Sequence, residues 1–490
     1  MKPLFTMREA LEDPNLLGDV IKGESWKAWR TLLIASRGEQ LDPHERKLFF
    51  KLTRRQRPPR EPVDELGLIV GRRGGKSRAL SVLATYLGGL IDYADVLAPG
   101  ETALVLVIAP DQRQADIVLS YAEANFEQSP ILKKLVRNTT NDSIELTTRI
   151  TIEVRAASFR RLRGPTYAAV ICDEAAFFYS DDSANPDTEI LRAVRPGLMT
   201  TGGPLVISSS PYARRGELHA MHEKHYGNKG DRTILVAKGG TYTFNPKASK
   251  AVVERAYIQD PVSAAAEYGG EFRRDIEAFL SKEAVEACIS RGVREIPPAE
   301  GIRYHGFVDP SGGSMDSMTL AIGHRSENSC VIDCIREVRP PFSPESVTRE
   351  FATALKSYRV LKVKGDHFGG LWPREQFAKR MVEYNPHVKP KSELYLSLLA
   401  AINSETVELL DNERLKAQLV GLERRTSRAG RDSIDHGPGQ HDDIANAVAG
   451  VTHEVLASHT ERLPMSIHPP ILVTDVATLS DEFGYRSLTR

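Results

Sequence analysis

Hydrophobic and polar positions along this chain change period several times, and the changes divide it. Residues 1 to about 60 are charged and read as helical. From 61 to about 240, short continuous apolar runs alternate with amphipathic stretches. Residues 66–70 read as a buried strand, and Leu80, Leu83, Leu87 and Leu90 then fall on one helical face. Further strands are expected at 168–172 and 204–207. Strands alternating with helices predict an α/β fold with a doubly wound parallel sheet. Residues 241 to about 295 read as mostly helical, at 251–259, 263–268 and 281–290. Ile296-Pro-Pro-Ala-Glu-Gly301 punctuates the chain. A second α/β pattern follows from Tyr304 to about His459. Its strands are expected at 304–308, 318–322 and 330–335, forming a meander, then a helix at 344–358 and a strand at 360–364. From Arg462 the chain carries Pro464, Pro469 and Pro470 without periodicity and reads as a mobile arm.

Composition adds bounds. A chain of 490 residues is long enough for two or three domains. A net charge of zero argues against a generally basic polynucleotide binder. Charge is nevertheless uneven. Arg46-Lys47, Lys51, Arg54-Arg55, Arg57 and Arg60 form a basic segment, either a nucleic-acid contact or a solvated helix face running into a Pro58-Pro59 linker. The cysteines, Cys172, Cys288, Cys330 and Cys334, lack metal-type spacing and point to a reducing compartment. No run has membrane-spanning length, the N-terminus lacks the apolar core of a signal peptide, and no internal repeat is visible.

Candidate chemistry lies where strands end. After the 66–70 strand come Gly71-Arg72-Arg73-Gly74-Gly75-Lys76-Ser77, then the helix. Strand, glycine-rich loop and helix are the context of a phosphate-binding loop. The glycines let backbone N–H groups turn toward phosphate oxygens, and the helix dipole points at the same anion. Lys76 can reach the β- and γ-phosphates and Ser77 can hold Mg²⁺. In the pattern G-x-x-x-x-G-K-S/T the first glycine falls at Val70, so by itself the motif could be a glycine-rich turn. The strand at 168–172 ends in Asp173-Glu174, which suit a magnesium shell and the orientation or deprotonation of a water. The strand at 204–207 ends in Ser208-Ser209-Ser210-Pro211, where a γ-phosphate sensor such as Ser209 would sit.

The second half offers carboxylates. Asp309 follows the 304–308 strand, Asp366 follows the 360–364 strand, and Asp442-Asp443 open a helix. Each could be a turn former or helix cap. Together, on two neighbouring strand ends and a closing helix, they can converge on one point, as in an RNase H-like two-metal site, whose hard oxygen ligands suit Mg²⁺ or Mn²⁺. Asp316 is a candidate extra ligand or outer group. Asp333, mid-strand, reads as structural or as an outer group.

Taken together, Gly71 to Ser77, Val170-Ile-Cys-Asp-Glu174, Ser208 to Pro211, Val308-Asp-Pro-Ser-Gly-Gly313, Lys364-Gly-Asp366 and His441-Asp-Asp443 resemble the large subunit of a tailed-bacteriophage terminase, from about residue 45 to about 455. Terminases commonly lack the first loop glycine, and many carry an arginine where Arg72 stands. Where many relatives have a further aspartate, this chain has Asn446. The third metal ligand is therefore Asp442 or Asp443, with Asp443 preferred.

The resemblance implies a helical basic segment at 1–60, a P-loop ATPase core at 61–240, a helical lid or linker at 241–295, an RNase H-like nuclease domain at 296–460 and a tail at 461–490. It implies ATP with Mg²⁺ at the first site, two Mg²⁺ or Mn²⁺ ions at the second, and backbone contacts to double-stranded DNA. Further implied partners are the portal protein of a procapsid, a small terminase subunit and other copies of this chain in a ring, commonly a pentamer. An arginine of the 160–163 run, with Arg163 preferred over Arg160 and Arg161, would reach the γ-phosphate of the neighbouring subunit, and Arg72 would assist catalysis. The setting implied is the cytoplasm of a bacterial host. The rival readings are a nucleic-acid helicase or remodelling ATPase with a degenerate C-terminal half, and a non-catalytic capsid adaptor.

Overall fold

The structure is a computed structural model that describes residues 2–158, 162–180, 186–367, 370–426 and 432–457. The expected tail at 461–490, together with Arg160 and Arg161, lies outside the described residues.

The N-terminal segment comprises β1 (Lys2–Pro3), α1 (Met7–Glu12), α2 (Lys27–Ser36) and α3 (Pro43–Thr53). Local chemistry fixes the helix starts. Thr6 and Glu9 form a capping box at α1, and Asp42 with Glu45 form another at α3 behind Pro43. Trp29 and Phe49 are buried against the first sheet. The basic segment that runs along α3 and beyond it is not uniform. Arg46, Lys47, Lys51, Arg54, Arg57 and Arg60 are exposed, but Arg55 is buried and donates to the backbone carbonyls of Asp231, Arg232 and Ile234.

The next elements are β2 (Glu65–Val70), α4 (Lys76–Gly89), β3 (Ile91–Asp92), β4 (Ala103–Ala109), α5 (Gln112–Gln128), β5 (Val136–Thr139), β6 (Ser143–Leu146), β7 (Ile150–Ala156) and β8 (Tyr167–Asp173). They are followed by α6 (Pro186–Leu198), β9 (Leu205–Ser209), α7 (Gly216–His225) and β10 (Ile234–Gly239). Eight strands form one sheet in the order β10-β2-β9-β8-β4-β7-β6-β5. The pairs from β10 to β7 are parallel, and β6 and β5 close that edge antiparallel. β1 and β3 form a separate ribbon. Alternation along the strands fills both faces: Leu66, Leu68 and Val70 enter one core, while Ile69 enters the other with Ile190 and Leu218.

Three helices follow: α8 (Thr241–Phe244), α9 (Lys250–Gln259) and α10 (Pro261–Glu267). Then come β11 (Ile276–Ala278), α11 (Lys282–Ala287), β12 (Ile289–Ser290), β13 (Tyr304–Asp309), β14 (Met318–Ser326), β15 (Ser329–Val338), α12 (Pro344–Ser357), β16 (Lys362–Gly365), α13 (Trp372–Ala378) and β17 (Glu383–Pro386). The chain continues with α14 (Lys391–Asn403), β18 (Val407–Leu410), α15 (Glu413–Gly421), β19 (Leu422–Thr426), β20 (Asp432–His436) and α16 (Asp443–Ala457). A seven-stranded sheet runs β12-β18-β15-β14-β13-β16-β17. β13, β14 and β15 are an antiparallel meander, and β16 lies parallel beside β13. β11 joins the β19–β20 hairpin in a small antiparallel sheet.

The class is α/β, as the sequence predicts, with parallel strands in both large sheets. The 241–295 stretch does not pack as one unit. Phe244 of α8 sits in the first core, whereas Phe279, Leu280, Val285 and Cys288 are buried in the second. The four cysteines are free and buried. Among the described residues, no helix is long and apolar enough to cross a membrane.

Candidate functional sites

The first site is set by strand order. β9 lies between β2 and β8, so the residues after these strands meet at one edge. The loop 71–75 leaves β2 and turns into α4 at Gly75, which caps the helix at φ 83°. A β-carbon there would come within 2.9 Å of the Trp26 ring, so this position combines a backbone and a space requirement for glycine. Trp29 Nε1 donates to the Gly74 carbonyl at 2.7 Å and holds the loop from below. Arg73 also takes a positive φ, 60°.

Lys76 is buried at the start of α4. Its Nζ lies 3.0 Å from Glu174 Oε1 and donates to the Val70 carbonyl at 3.2 Å and to Ser210 Oγ at 3.3 Å. Ser77 Oγ donates to Asp173 Oδ2 at 2.9 Å. Glu174 itself adopts φ 51° at the end of β8. Its Oε2 accepts from the Ser210 N–H at 3.0 Å and from Ser209 Oγ at 3.1 Å. Burial pushes the Asp173 carboxyl up to about 6, with the Glu174 charge adding to it. Burial also raises Glu174, but the Lys76 ammonium and the Ser210 N–H outweigh it and leave Glu174 below the ordinary carboxylate range. Lys76, Ser77, Asp173, Glu174 and Ser209 are thus in one network. Ser210, which the sequence reading does not single out, contributes more contacts than Ser209. The only sequence signal for it is adjacency.

The loop is also clasped from α8 to α10. Thr241 Oγ1 donates to the Arg72 carbonyl at 2.7 Å, Asn245 Nδ2 donates to the Arg73 carbonyl at 3.0 Å, and the Arg72 guanidinium pairs with Glu267 at 3.2 Å. The Arg72 side chain is therefore engaged with α10, not with Glu174. Arg163 is exposed on the connection into β8 and is joined to none of these groups among the described residues.

The second site stands at the ends of β13 and β16. Val308 and Gly365 are register partners, so Asp309 and Asp366 emerge side by side. Asn446 reaches between them from α16, its Nδ2 donating to Asp309 Oδ2 at 2.8 Å and to Asp366 Oδ2 at 2.7 Å. Burial pushes the Asp309 carboxyl well above its ordinary value, and the Asp366 charge adds to this. Burial likewise raises Asp366.

The adjacent aspartates diverge. Asp442 is buried, with Oδ1 taken by Lys391 Nζ at 2.7 Å and Oδ2 by the Tyr395 hydroxyl at 2.7 Å. Asp443 opens α16, accepts from the Ser317 N–H at 3.2 Å, and is pushed up to about 6 by burial and by Asp442. Asp316 is exposed, 3.6 Å from the His441 ring. Asp333 lies elsewhere, buried on β15 with Oδ2 2.7 Å from His324 Nδ1. Lys391, Tyr395 and Asn446 are not among the sequence candidates. Lys391 and Tyr395 come from a helix some fifty residues earlier in the chain and leave no local pattern.

Asp309, Asp366 and Asp443 are hard oxygen donors, and Asn446 bridges the first two. They fit a hard divalent cation such as Mg²⁺ or Mn²⁺. Among the described residues, the groups whose donors all lie within 4.8 Å of one another are Asp435 with His436 and Asp442, and His387 with His453 and Glu454; Asp309, Asp366 and Asp443 stand further apart than that. Asp442 is already bound by Lys391 and Tyr395, and Glu454 is held by Lys364 at 2.8 Å.

No protein-family model matches the chain, and no curated protein does. Among solved structures, the chain is similar to the large terminase of bacteriophage HK97, at 13% identity and a TM-score of 0.36 over 85% of this chain and 95% of that one. A large terminase from a thermophilic bacteriophage is similar at 11% identity and a TM-score of 0.34, over 80% of this chain and 94% of its own. The large terminase nuclease of the thermophilic phage G20c, in a structure with bound magnesium, matches 36% of this chain and 97% of its own, at 15% identity and a TM-score of 0.32.

Proposed function

We propose that the chain is a large terminase subunit, which uses ATP to drive double-stranded viral DNA into a procapsid and cuts concatemeric DNA with a metal-dependent nuclease site. The observation that carries this reading is the presence of two separate carboxylate centres in one chain. One is built around a lysine and a serine at the start of a helix, and the other around a pair of neighbouring strand ends.

At the first centre, Lys76 and the loop 71–75 receive the phosphates of ATP, and Ser77 with Asp173 holds the accompanying Mg²⁺. Arriving phosphates compete with Glu174 for Lys76, which frees the Glu174 carboxylate to orient a water. Ser209 and Ser210 hold Glu174 and pass its position to the segment that follows. At the second centre, Asp309, Asp366 and Asp443 hold the divalent ions, while Asp316 on its exposed turn serves as an outer group. The ions when bound lower the pKa of water and stabilise a leaving 3′-oxygen. The half-buried Asp309 and Asp366 keep an open edge through which a DNA backbone can approach. Contacts to DNA are with phosphates, as sequence-independent packaging requires.

The limits proposed for the parts are those expected from the sequence, except that 276–290 go with the nuclease part, into whose sheets and core they pack. In the assembled ring of this chain on a portal, with a small subunit delivering DNA in the host cytoplasm, exposed Arg163 reaches the nucleotide of the neighbouring subunit. The test is plasmid cleavage with Mn²⁺ and DNA-stimulated ATP hydrolysis on the same preparations. Lys76→Ala should lose hydrolysis and keep cleavage; Asp309→Ala should do the reverse. Cleavage by Asp309→Ala at the wild-type rate would refute the nuclease centre. For Arg163, mixing Arg163→Ala with Glu174→Gln chains should restore part of the hydrolysis, and no recovery in demonstrably mixed rings would refute the role in trans.

A further inference from the structure

Asn446 stands at the point where the two carboxylates meet, and only half of it is satisfied. Its side chain is fully buried. The amide nitrogen donates one hydrogen to each carboxylate, at 2.8 Å and 2.7 Å. The amide oxygen, Oδ1, is buried without a hydrogen-bond partner. A buried acceptor left unsatisfied forfeits its hydration and is destabilising. An asparagine that served only to fill the space between β13, β16 and α16 could be replaced by an apolar side chain without that cost.

We propose that Asn446 is both a clamp and a ligand. Without a cation its NH₂ holds Asp309 and Asp366 together; with a divalent cation between them the amide turns over and Oδ1 becomes a neutral third oxygen ligand. This rests on Asp309 and Asp366 being metal ligands, as proposed above. The two ends of a carboxamide are close to isosteric and its terminal torsion is broad, so the half-turn requires no repacking. Electrostatics decides its direction. Facing two bare carboxylates, the oxygen is repelled and the NH₂ is attracted. Facing a cation, an N–H donor cannot ligate and a carbonyl oxygen can. The end pointing away is unpaired in either orientation, so the turn sacrifices no partner on that side. A neutral ligand also leaves the site one negative charge poorer than a carboxylate would, and ligand charge tunes affinity for hard cations.

Calorimetric titration of the full chain with Mn²⁺ tests this. Asp309→Ala marks the site and should abolish binding there. Asn446→Leu, of similar size, should weaken binding about tenfold or more. Asn446→Asp, which supplies a charged oxygen in the same place, should bind about tenfold tighter than the wild type and so separates ligation from folding. In crystals of the wild type with Mg²⁺, Oδ1 should lie about 2.0–2.1 Å from the ion. Unchanged affinity in both Asn446 variants overturns the proposal alone, as does an amide still outside ligand distance of a bound ion. Binding that survives Asp309→Ala overturns the reading of the metal site and this proposal with it.

Discussion

Lys76 and Glu174 illustrate how single residues carry opposed duties. Each is the other's closest charge, at 3.0 Å, yet under the proposed function each is wanted elsewhere during hydrolysis. Removing the carboxylate charge while keeping its shape should therefore leave phosphate binding intact or tighter. Glu174→Gln is expected to retain ATP affinity and to lose about 10²–10⁴-fold in turnover, the range for a general base; fluorescent-nucleotide binding beside steady-state hydrolysis checks both halves. Asp333 makes a different residue-scale case. Burial raises its carboxyl, against the pull of His324. A carboxyl raised in the fold contributes stability while protonated, and that contribution is lost as pH climbs from the unfolded value near 3.8 through the raised one. Asp333→Asn removes the loss while its amide oxygen still accepts from His324. The melting-temperature difference, variant minus wild type, should become more positive from about pH 4 to about pH 8, with DNA cleavage unchanged. A difference independent of pH would show that Asp333 is not ionising at a cost.

At the scale of elements, α16 decides the second centre. It crosses β13 at Gly450, where a β-carbon would lie 2.3 Å from the Phe307 ring. Gly450→Ala sets two effects against each other. Alanine favours a helix over glycine by about 0.8–1.0 kcal/mol, whereas overpacking a filled core costs about 1–3 kcal/mol. The clash is with an aromatic ring inside the core, so destabilisation should win, and α16 should lift away from β13. That moves Asn446 and Asp443 relative to Asp309. Cleavage should fall at least tenfold while ATP hydrolysis is spared; a raised melting temperature with full cleavage would mean that the helix does not seat on Phe307. The sequence is informative about this element up to a point. Apolar periodicity announces the helix and the strands, and the strand-end aspartates stand out because a carboxylate after an apolar run is conspicuous. The sequence prefers Asp443 to Asp442, but what sets the two apart is not legible in it. Both sit at the same helix end, and the difference is made by Lys391 and Tyr395 on α14. Asn446 is noticeable as a missing aspartate, but its place between two carboxylates depends on how three elements pack. Arg55 misleads in the same way: it looks like part of a basic surface, and its role is set by carbonyls at the start of β10.

In the whole molecule the two halves meet through a buried carboxylate that no local pattern announces. Glu423, on β19, is fully buried. It accepts from the Tyr212 hydroxyl at 2.8 Å and from Arg215 Nη2 at 2.6 Å, and it also pairs with Arg425. Tyr212 and Arg215 follow directly on Ser209 and Ser210, the residues that hold Glu174. A short stretch of chain, 209–215, therefore runs from the first centre to side chains that are hydrogen-bonded to the hairpin beside the second. A buried carboxylate that loses a partner is left with its desolvation cost, so Arg215→Ala should destabilise the chain by about 1–3 kcal/mol, less than for an isolated pair because Tyr212 and Arg425 remain. Glu423→Gln keeps two acceptor directions without the charge and should cost less than Arg215→Ala. The double variant should cost less than the sum of the two singles by about 1 kcal/mol or more, because Arg215 has little to lose once the charge is gone. Denaturant unfolding of the four proteins measures this directly. Strict additivity would mean that the two halves are held by other contacts, and that the path from Glu174 to the hairpin carries no energy between them.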